Sequence, residues 1–319
     1  MKGGRMKTDA LIQGWEHLPA GAWSCVLTIG NFDGVHLGHQ LILRTARAIA
    51  DSERLPCVAM TFEPPPDRIL RPRDVPQRIT PPGVKCELLR QAGADSAVLV
   101  ETTAKFLAAP PERFVEEVVV GRVAARHVVE GENFFFGRGR AGGIQTLRQA
   151  GQERGFTVHS VPPVLLDIAG REERVSSSLV RRLVLAGRVE DATRCLGRAF
   201  TLYGCVVPGE GHGRLIEFPT ANLEPDEQIV PADGVYAGLA EVDEARFPAA
   251  ISIGNKPTLG PGRGRFIEAF LIGASGDYYN RRMALRFVAR LRGQERFTGL
   301  KALREQIAED VKRVREIVG

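Results

Sequence analysis

The sequence lacks several features that would assign it quickly to a class of protein. Its five cysteines never form a CxxC pair, which argues against a zinc site or a disulfide framework and favours a reducing cytoplasm. No apolar stretch approaches the roughly 20 residues needed to span a bilayer, and the amino terminus carries no apolar signal segment. No GxxxxGKS/T phosphate loop occurs, and no Lys/Arg block forms a nucleic-acid-binding arm. We therefore expect a cytoplasmic protein with neither a membrane nor a nucleic-acid partner.

The length of the chain points to two domains. A chain of 319 residues exceeds what one hydrophobic core usually organises. Lys and Arg (43) outnumber Asp and Glu (38), a mild excess that slightly favours anionic ligands. We expect one domain over residues 1–186 and a second over residues 187–319, with a helix over residues 184–198 joining them. The sequence leaves the oligomeric state open.

The first half of the chain alternates short apolar runs with helical patterns. Apolar runs at residues 24–30, 57–62, 95–100 and 126–130 are typical of buried strands. Helical patterns follow the first run, cover residues 84–91, and begin again at Pro110–Pro111, since proline suits the first turn of a helix. This alternation predicts a parallel sheet covered on both faces, with ligands bound beyond the carboxyl ends of its strands.

The second half has a different periodicity. Short strand patterns occur at residues 200–207, 234–242, 247–254, 266–272 and 282–291, separated by Gly, Pro and Asp. Such strands predict a small antiparallel barrel. The chain ends in a helical pattern with one apolar stripe, formed by Leu303, Ile307, Val311 and Val314.

The sharpest local signal is GNFDGVHLGH at residues 30–39, where the first strand meets the first helix. Its glycines allow a tight turn, and the amino end of the following helix offers N–H groups to a phosphate. His36 and His39 can donate hydrogen bonds to phosphate oxygens as charge builds in a transition state. A lone histidine is usually structural, but two of them in this setting favour a functional site.

The second half contains another glycine-dense stretch. Gly209, Gly211 and Gly213 precede the sequence FPTANL, and their N–H groups could wrap phosphates. Thr220 and Asn222 supply two neutral oxygens suited to Mg²⁺ when nucleotide and water complete the shell. Taken alone, however, the PTAN sequence is also typical of a structural turn.

The first half resembles the amino-terminal half of bacterial FAD synthetases, which are HxGH nucleotidyltransferases with a Rossmann-like, doubly wound α/β fold. The resemblance rests on GNFDGVHLGH, on GENFFFG at residues 131–137 and on VSSSLVR at residues 175–181. It implies that His36 and His39 assist attack on the α-phosphate of ATP.

The second half resembles riboflavin kinases. The matching segments are GRLIEFPTANL (213–223), DGVYA (233–237), SIGNKPT (252–258), FIEAF (266–270) and LRGQERF (291–297). The resemblance implies a riboflavin kinase-like barrel, in which Glu268 is the base that takes a proton from riboflavin. It also implies that Thr220 and Asn222 bind Mg²⁺.

Together, the two resemblances imply a bifunctional enzyme that makes FMN from riboflavin and ATP, and then FAD from FMN and ATP. Its partners are these small molecules. The implied nucleotide- and flavin-binding positions are Gly30, Phe32, Asp33, Gly34, Gly38, Asn133, Ser177, Ser178, Arg181, Gly211, Gly213, Asn222 and Arg292.

The chain departs from the family patterns at several positions. Pro65 replaces a histidine and Leu179 an arginine in the first half, while Glu217 replaces a glycine, Lys256 an arginine and Gln294 a glutamate in the second. Two alternatives therefore stay open. One is an enzyme in which a single module is active, and the other is a regulator that binds flavin or nucleotide without turnover.

Overall fold

A computed structural model describes residues 11–12, 23–209, 218–255 and 265–319. These residues divide into two compact units, one reaching Pro76 and continuing over Pro82–Ser176, the other comprising Gln77–Pro81 and Ser177–Gly319. The domain boundary at residues 186/187 stays a prediction. Among the described helices, none is both long and apolar enough to cross a membrane.

The first unit combines a parallel sheet with two short antiparallel strand pairs. Its strands are β1 (Leu11–Ile12), β2 (Val26–Ile29), β3 (Cys57–Glu63), β4 (Ser96–Glu101), β5 (His127–Gly131), β6 (Phe135–Phe136), β7 (Gly142–Gly143), β8 (Thr157–Val161), β9 (Leu165–Asp167) and β10 (Glu172–Arg174). Its helices are α1 (Leu37–Glu53), α2 (Pro66–Leu70), α3 (Pro82–Gln91), α4 (Ala104–Leu107), α5 (Pro111–Phe114), a π-helical stretch (Val115–Arg122), a 3₁₀ turn (Arg138–Arg140) and α6 (Ile144–Arg154).

The predicted parallel sheet is confirmed. The described residues form a six-stranded sheet in the order β1-β4-β3-β2-β5-β8, and every neighbouring pair is parallel. Apolar clusters cover both faces: Leu27 and Val128 belong to one, Val26 and Val129 to another on the opposite face. The alternation follows from the period of two along a strand. The strand order reverses between β2 and β5, which opens a crevice at the carboxyl edge.

The second unit is a barrel with helices. Its elements are α7 (Ser177–Leu185), α8 (Val189–Leu196), β11 (Phe200–Val207), β12 (Thr220–Pro225), β13 (Gly234–Val242), β14 (Ala245–Asn255), β15 (Arg265–Leu271), β16 (Arg282–Arg292) and α9 (Leu300–Val318). The strands close in the order β11-β12-β15-β14-β13-β16, with antiparallel neighbours. The predicted antiparallel barrel and terminal helix are confirmed.

The barrel is filled by alternating residues of its strands. Phe200, Tyr236 and Phe287 are fully buried, and the ring of Phe287 contacts the rings of the other two. Val311 and Val314 of α9 pack against Val235 and Leu291, as the apolar stripe of the terminal helix predicts.

The single helix predicted over residues 184–198 is wrong. The structure has two helices, α7 ending at Leu185 and α8 beginning at Val189. Gly187 lies between them with φ +72°, a left-handed conformation that ends a helix and that glycine adopts without strain. The apolar periodicity continues across the break, which is why the sequence pattern resembles one helix.

Candidate functional sites

The first candidate site is the turn between β2 and α1. Val35 N–H donates to Phe32 O at 3.0 Å and closes the turn. Gly34 has φ +84°, which requires glycine or costs strain. His36 is the cap residue of the 17-residue helix α1, so the amino end of that helix begins at the sheet's carboxyl edge. The turn therefore has the geometry of a phosphate-binding site.

The two histidines of the turn lie against each other. Their rings stack with centroids 3.7 Å apart and planes 20° from parallel, and the edge of the Phe32 ring contacts His39 at 5.1 Å. His36 is only 6% exposed. Gly38 makes room for this arrangement, because a Cβ there would lie 3.1 Å from Cε1 of His36. The structure thus brings together the histidines, Phe32 and Gly38.

The start of the VSSS motif lies beside this turn, and Asn133 of the GENFFFG motif contacts the residue that precedes the VSSS motif. A Cβ on Gly38 would lie 3.7 Å from the carbonyl oxygen of Val175, the residue that opens the VSSS motif. With the amide of Asn133 turned so that its oxygen faces Arg174, that oxygen accepts hydrogen bonds from the guanidinium at 2.6 and 2.9 Å. Val175 therefore lies beside the turn, and Asn133 is hydrogen-bonded to Arg174, the residue directly before Val175.

Arg174 is a residue that the sequence analysis missed. It ends the antiparallel hairpin β9–β10, which the sequence analysis did not predict, and it immediately precedes the VSSS motif. A guanidinium beside Asn133 adds a fixed positive charge, which favours an anionic ligand. The sequence offered one indication of it, an arginine that directly precedes a hydroxyl-rich motif.

Gly30, Asp33 and Pro65 are three further residues of the first half that the sequence singles out. Gly30 N–H donates to Met60 O at 3.0 Å and Asp33 lies half-buried in the turn. Pro65 caps the short helix α2.

The hydroxyl-rich motif continues into α7 of the second unit. Ser177 and Ser178 are the first residues of α7, and Nε of Arg181 donates to Gln77 O at 2.7 Å. Leu179 is buried on the apolar side of that helix, which explains why an apolar residue is tolerated where the family has arginine.

The second candidate site lies on the outer face of the barrel. Asn222 of β12 is paired with Glu268 of β15, and Glu268 is paired with Ser252 of β14. Residues paired directly across antiparallel strands point to the same face, so these three form a row. Thr220 precedes Asn222 by two positions and shares that face. The flanking Ile267 and Ala269 are buried, which leaves Glu268 half-exposed on the outside.

Two neighbours complete the row. Nε2 of Gln294 donates to Ser252 Oγ at 3.0 Å and to Ile253 O at 2.8 Å. Gly209 lies against the side-chain amide of Asn222 so closely that a Cβ at that position would overlap it. The backbone near Gly209 can therefore approach a ligand held at Asn222, as only glycine permits.

Arg292 has a structural partner. Its Nη2 lies 2.7 Å from Oδ2 of Asp310 on α9, and its Nε donates to both oxygens of that carboxylate at 3.1 Å. The ion pair is largely buried and joins β16 to α9. Gly211, Gly213, Glu217 and Lys256 lie outside the described residues.

The described residues contain no group of three or more His, Cys, Asp or Glu side chains arranged for a metal ion. The predicted Mg²⁺ ligands, Thr220 and Asn222, are neutral.

Comparison with known families agrees with this division into two units. Residues 19–179 match the family model for FAD synthetase, and residues 196–318 match the model for riboflavin kinase. The first match ends before α8, and the second covers the whole barrel and α9.

Whole-length relatives match both units at once. The chain is 34% identical to a bifunctional riboflavin kinase/FMN adenylyltransferase of Pseudomonas fluorescens, over 96% of this chain and 97% of the relative. Proteins of the same description from Escherichia coli K12 and Bacillus subtilis are 33% and 32% identical, over 92% and 89% of this chain and 93% and 90% of their own lengths.

Similarity of structure extends over both units. A crystal structure described as a macrolide-efflux protein from Streptococcus pneumoniae superimposes with a TM-score of 0.86 at 28% identity, over 96% of this chain and 98% of that chain. Both family models and the whole-length relatives agree, and the chain belongs to the family of bifunctional riboflavin kinase/FMN adenylyltransferases.

Proposed function

We propose that this chain makes both flavin cofactors, phosphorylating riboflavin to FMN in the barrel unit and transferring an adenylyl group from ATP to FMN in the parallel-sheet unit. The observation that carries the proposal is that each unit gathers its own motif residues at one place. His36 and His39 stack at the strand-to-helix turn, and Glu268 is paired with Asn222 on the barrel. Family membership over both units supports the same assignment.

In the first unit, a phosphate oxygen of FMN attacks the α-phosphorus of ATP. The bond between the α- and β-phosphates breaks, pyrophosphate leaves, and FAD is formed. His36 and His39 donate hydrogen bonds to the phosphate oxygens as negative charge moves toward the leaving group. The N–H groups of the glycine turn bind the phosphates, and Asn133 with Arg174 contacts the nucleotide or the flavin. Ser177, Ser178 and Arg181, in the first turns of α7, stay predicted hydroxyl and guanidinium donors for phosphate.

In the second unit, Glu268 takes the proton of the ribityl hydroxyl, whose oxygen attacks the γ-phosphorus of ATP while ADP leaves. Phosphoryl transfer depends mainly on positioning and on neutralising charge. Gly211 and Gly213, which lie outside the described residues, stay predicted backbone donors to phosphate. Arg292, at the end of β16, is held by its ion pair with Asp310.

The residues on the barrel fit a magnesium ion. Thr220 and Asn222 present neutral oxygens on one face of β12, the carboxylate of Glu268 lies across from Asn222, and the backbone at Gly209 can approach closely. Hard oxygen donors of this kind suit Mg²⁺, with phosphate oxygens and water as further ligands. Mg²⁺ bound there would neutralise phosphate charge during the transfer.

We also propose that the protein works in the cytoplasm. All five cysteines are free thiols and four of them are buried, which suits a reducing compartment. Riboflavin, FMN and ATP are its partners.

Two separate assays with the full-length protein test the proposal. Riboflavin with ATP and Mg²⁺ reports the kinase, and FMN with ATP and Mg²⁺ reports the adenylyltransferase. We expect both products from the wild type, loss of FMN formation alone in Glu268→Gln, and loss of FAD formation alone in His36→Ala. Glu224→Gln, an exposed change on the same face of β12, is the matched control for Glu268→Gln and keeps both activities.

The outcomes separate the alternatives. A wild type that makes only one product has a single active module. Flavin binding without consumption of ATP indicates a regulator, and contradicts the proposal outright.

A further inference from the structure

The ladder between β2 and β5 stops before β2 ends. Pairing between these strands covers Val26 with His127 and Leu27 with Val128, whereas β2 stays paired with β3 up to Ile29. β5 continues along β8 to Gly131, so β2 and β5 separate at their carboxyl ends. This is the point where the strand order of the sheet reverses. The candidate nucleotide turn begins at Gly30, directly after the separation.

The side chain of Glu130 takes the place of the missing ladder bond. Backbone groups of alternate residues point to the same side, and Cys25 O accepts from the N–H of Arg126, the residue directly before β5, at 2.9 Å. Ile29 N–H therefore also points toward β5, and it donates to Oε1 of Glu130 at 2.5 Å. A buried N–H needs a partner, and here a carboxyl group on a side chain provides it where a carbonyl on the next strand otherwise would.

Burying the Glu130 carboxyl among apolar side chains costs free energy. Glu130 is 2% exposed, and it follows Val128 on the face covered by the large apolar cluster. Burial raises the pKa of the Glu130 carboxyl well above its ordinary value, and the N–H of Ile29 opposes this only in part. An apolar residue would satisfy the core better. A buried polar group kept at a crevice is therefore a candidate for function.

The turn is held from its other side by Lys85. Nζ of Lys85, which is 4% exposed, donates to Asn31 O at 3.3 Å and to Phe62 O at 3.2 Å. Thr61 Oγ donates to the same Asn31 oxygen at 3.1 Å. Ile29 and Asn31, the neighbours of Gly30, are thus both fixed by buried side chains, one from each side of β2.

We propose that Glu130 is a positioning residue for adenylyl transfer, which holds the end of β2 apart from β5 and thereby sets the turn that carries His36 and His39. This inference rests on the proposed function. Displacing catalytic groups by about 1 Å can cost roughly 100-fold in rate. Loss of the carboxyl frees Ile29 N–H to find a partner on β5, which closes the crevice and moves the turn.

The test compares Glu130→Leu with Glu130→Gln in the full-length protein. Glu130→Leu removes the acceptor but suits the apolar surroundings, so we expect an equal or higher melting temperature together with a fall of roughly 10- to 100-fold in kcat for FAD formation. Glu130→Gln keeps a carbonyl oxygen for Ile29 N–H, and we expect it to retain FAD formation within about threefold of the wild type. Riboflavin phosphorylation by the same samples should be unchanged in both.

Val98→Ala is the control for general weakening of the first unit. Val98 is fully buried on β4, two strands away from β2, so its truncation lowers the melting temperature without touching the turn. We expect this variant to keep the wild-type kcat for FAD formation at a permissive temperature.

Each remaining outcome is decisive. Wild-type kcat in Glu130→Leu overturns the positioning role. If Glu130→Leu fails to fold, the other two variants decide. An equal loss of kcat for FAD formation in Glu130→Gln and in Val98→Ala overturns the positioning role, whereas a kcat close to the wild type in Glu130→Gln supports it. A wild type that makes no FAD from FMN overturns the proposed function instead.

Discussion

Asn222 and Glu268 are paired across β12 and β15 on the outer face of the barrel. Their backbones belong to neighbouring strands of one closed sheet, so the distance between the predicted metal ligand and the predicted base is fixed by the sheet itself. Sites on regular strands are held more precisely than sites on loops. The pairing therefore supports a shared role for the two residues in phosphorylating riboflavin.

Replacing Asn222 by Ala should weaken the response of the kinase to magnesium. The change removes one neutral oxygen ligand, so we expect the Mg²⁺ concentration for half-maximal rate to rise about tenfold or more. Initial rates of FMN formation across a Mg²⁺ series measure this. FAD formation from FMN is the internal control, and Glu224→Gln is the matched variant on the same strand face. An unchanged Mg²⁺ response would exclude Asn222 as a ligand.

Breaking the pair between Arg292 and Asp310 should destabilise the barrel unit. The two side chains are 13% and 3% exposed, so removing either one leaves the other as a buried, unpaired charge. Such a change costs about 3–5 kcal/mol. We therefore expect Asp310→Asn and Arg292→Met each to lower the temperature at which FMN formation is lost, while FAD formation persists.

The same pair of variants separates a structural from a ligand-binding role of Arg292. Below the melting temperature, Asp310→Asn should leave the KM for ATP unchanged in the kinase assay. A raised KM in Arg292→Met alone supports a contact with nucleotide. Equal KM values in both variants restrict Arg292 to joining β16 and α9.

Replacing Gly38 by Ala should separate stability from activity. Ala is favoured over Gly inside a helix by up to about 1 kcal/mol, and Gly38 is the second residue of α1. The added Cβ would lie 3.1 Å from Cε1 of His36, so the ring must shift. We expect an equal or higher melting temperature and a loss of FAD formation of about tenfold.

Gly83→Ala is the matched control for Gly38→Ala. Gly83 is also the second residue of its helix, α3, and an added Cβ there meets nothing within 4 Å. It should raise stability by a similar amount and leave FAD formation unchanged. If Gly38→Ala behaves in the same way, the position of the His36 ring does not matter for activity.

The strands of the fold were predictable because most of them carry a regular pattern. The apolar run at Cys57 and the alternation from Met283 to Leu291 agree with β3 and β16. β12 was missed, since Thr220 and Asn222 lie in a sequence that is typical of a turn. Its polar residues face outward, and only closure of the barrel makes that segment a strand.

The candidate sites were predictable from motifs but not from chemistry alone. His36, His39 and Glu268 were found through their sequence context. Arg174 was missed because its contact with Asn133 depends on a hairpin that the sequence analysis did not predict. Glu130 was counted only as the last residue of a predicted strand, since a glutamate usually faces water and its burial depends on where β2 and β5 separate.

The raised pKa of Glu130 should make the first unit less stable as pH rises. Below the unfolded-state pKa of about 4.3 the carboxyl is protonated in both states, and its contribution to folding is fully present. Above that value the unfolded chain ionises first, because burial raises the pKa in the folded state. The free energy of unfolding then falls by up to about 1.4 kcal/mol per pH unit until the folded-state pKa is passed.

Glu130→Gln cannot ionise, so the difference in unfolding free energy between wild type and this variant should shrink or reverse from pH 5 toward pH 8. Trp23 packs against the core of the first unit, and no tryptophan follows it in the sequence. Urea unfolding followed by tryptophan fluorescence therefore reports this unit. A difference that stays constant with pH would mean that the Glu130 carboxyl ionises equally easily in the folded and unfolded chain, and that burial does not hold it protonated.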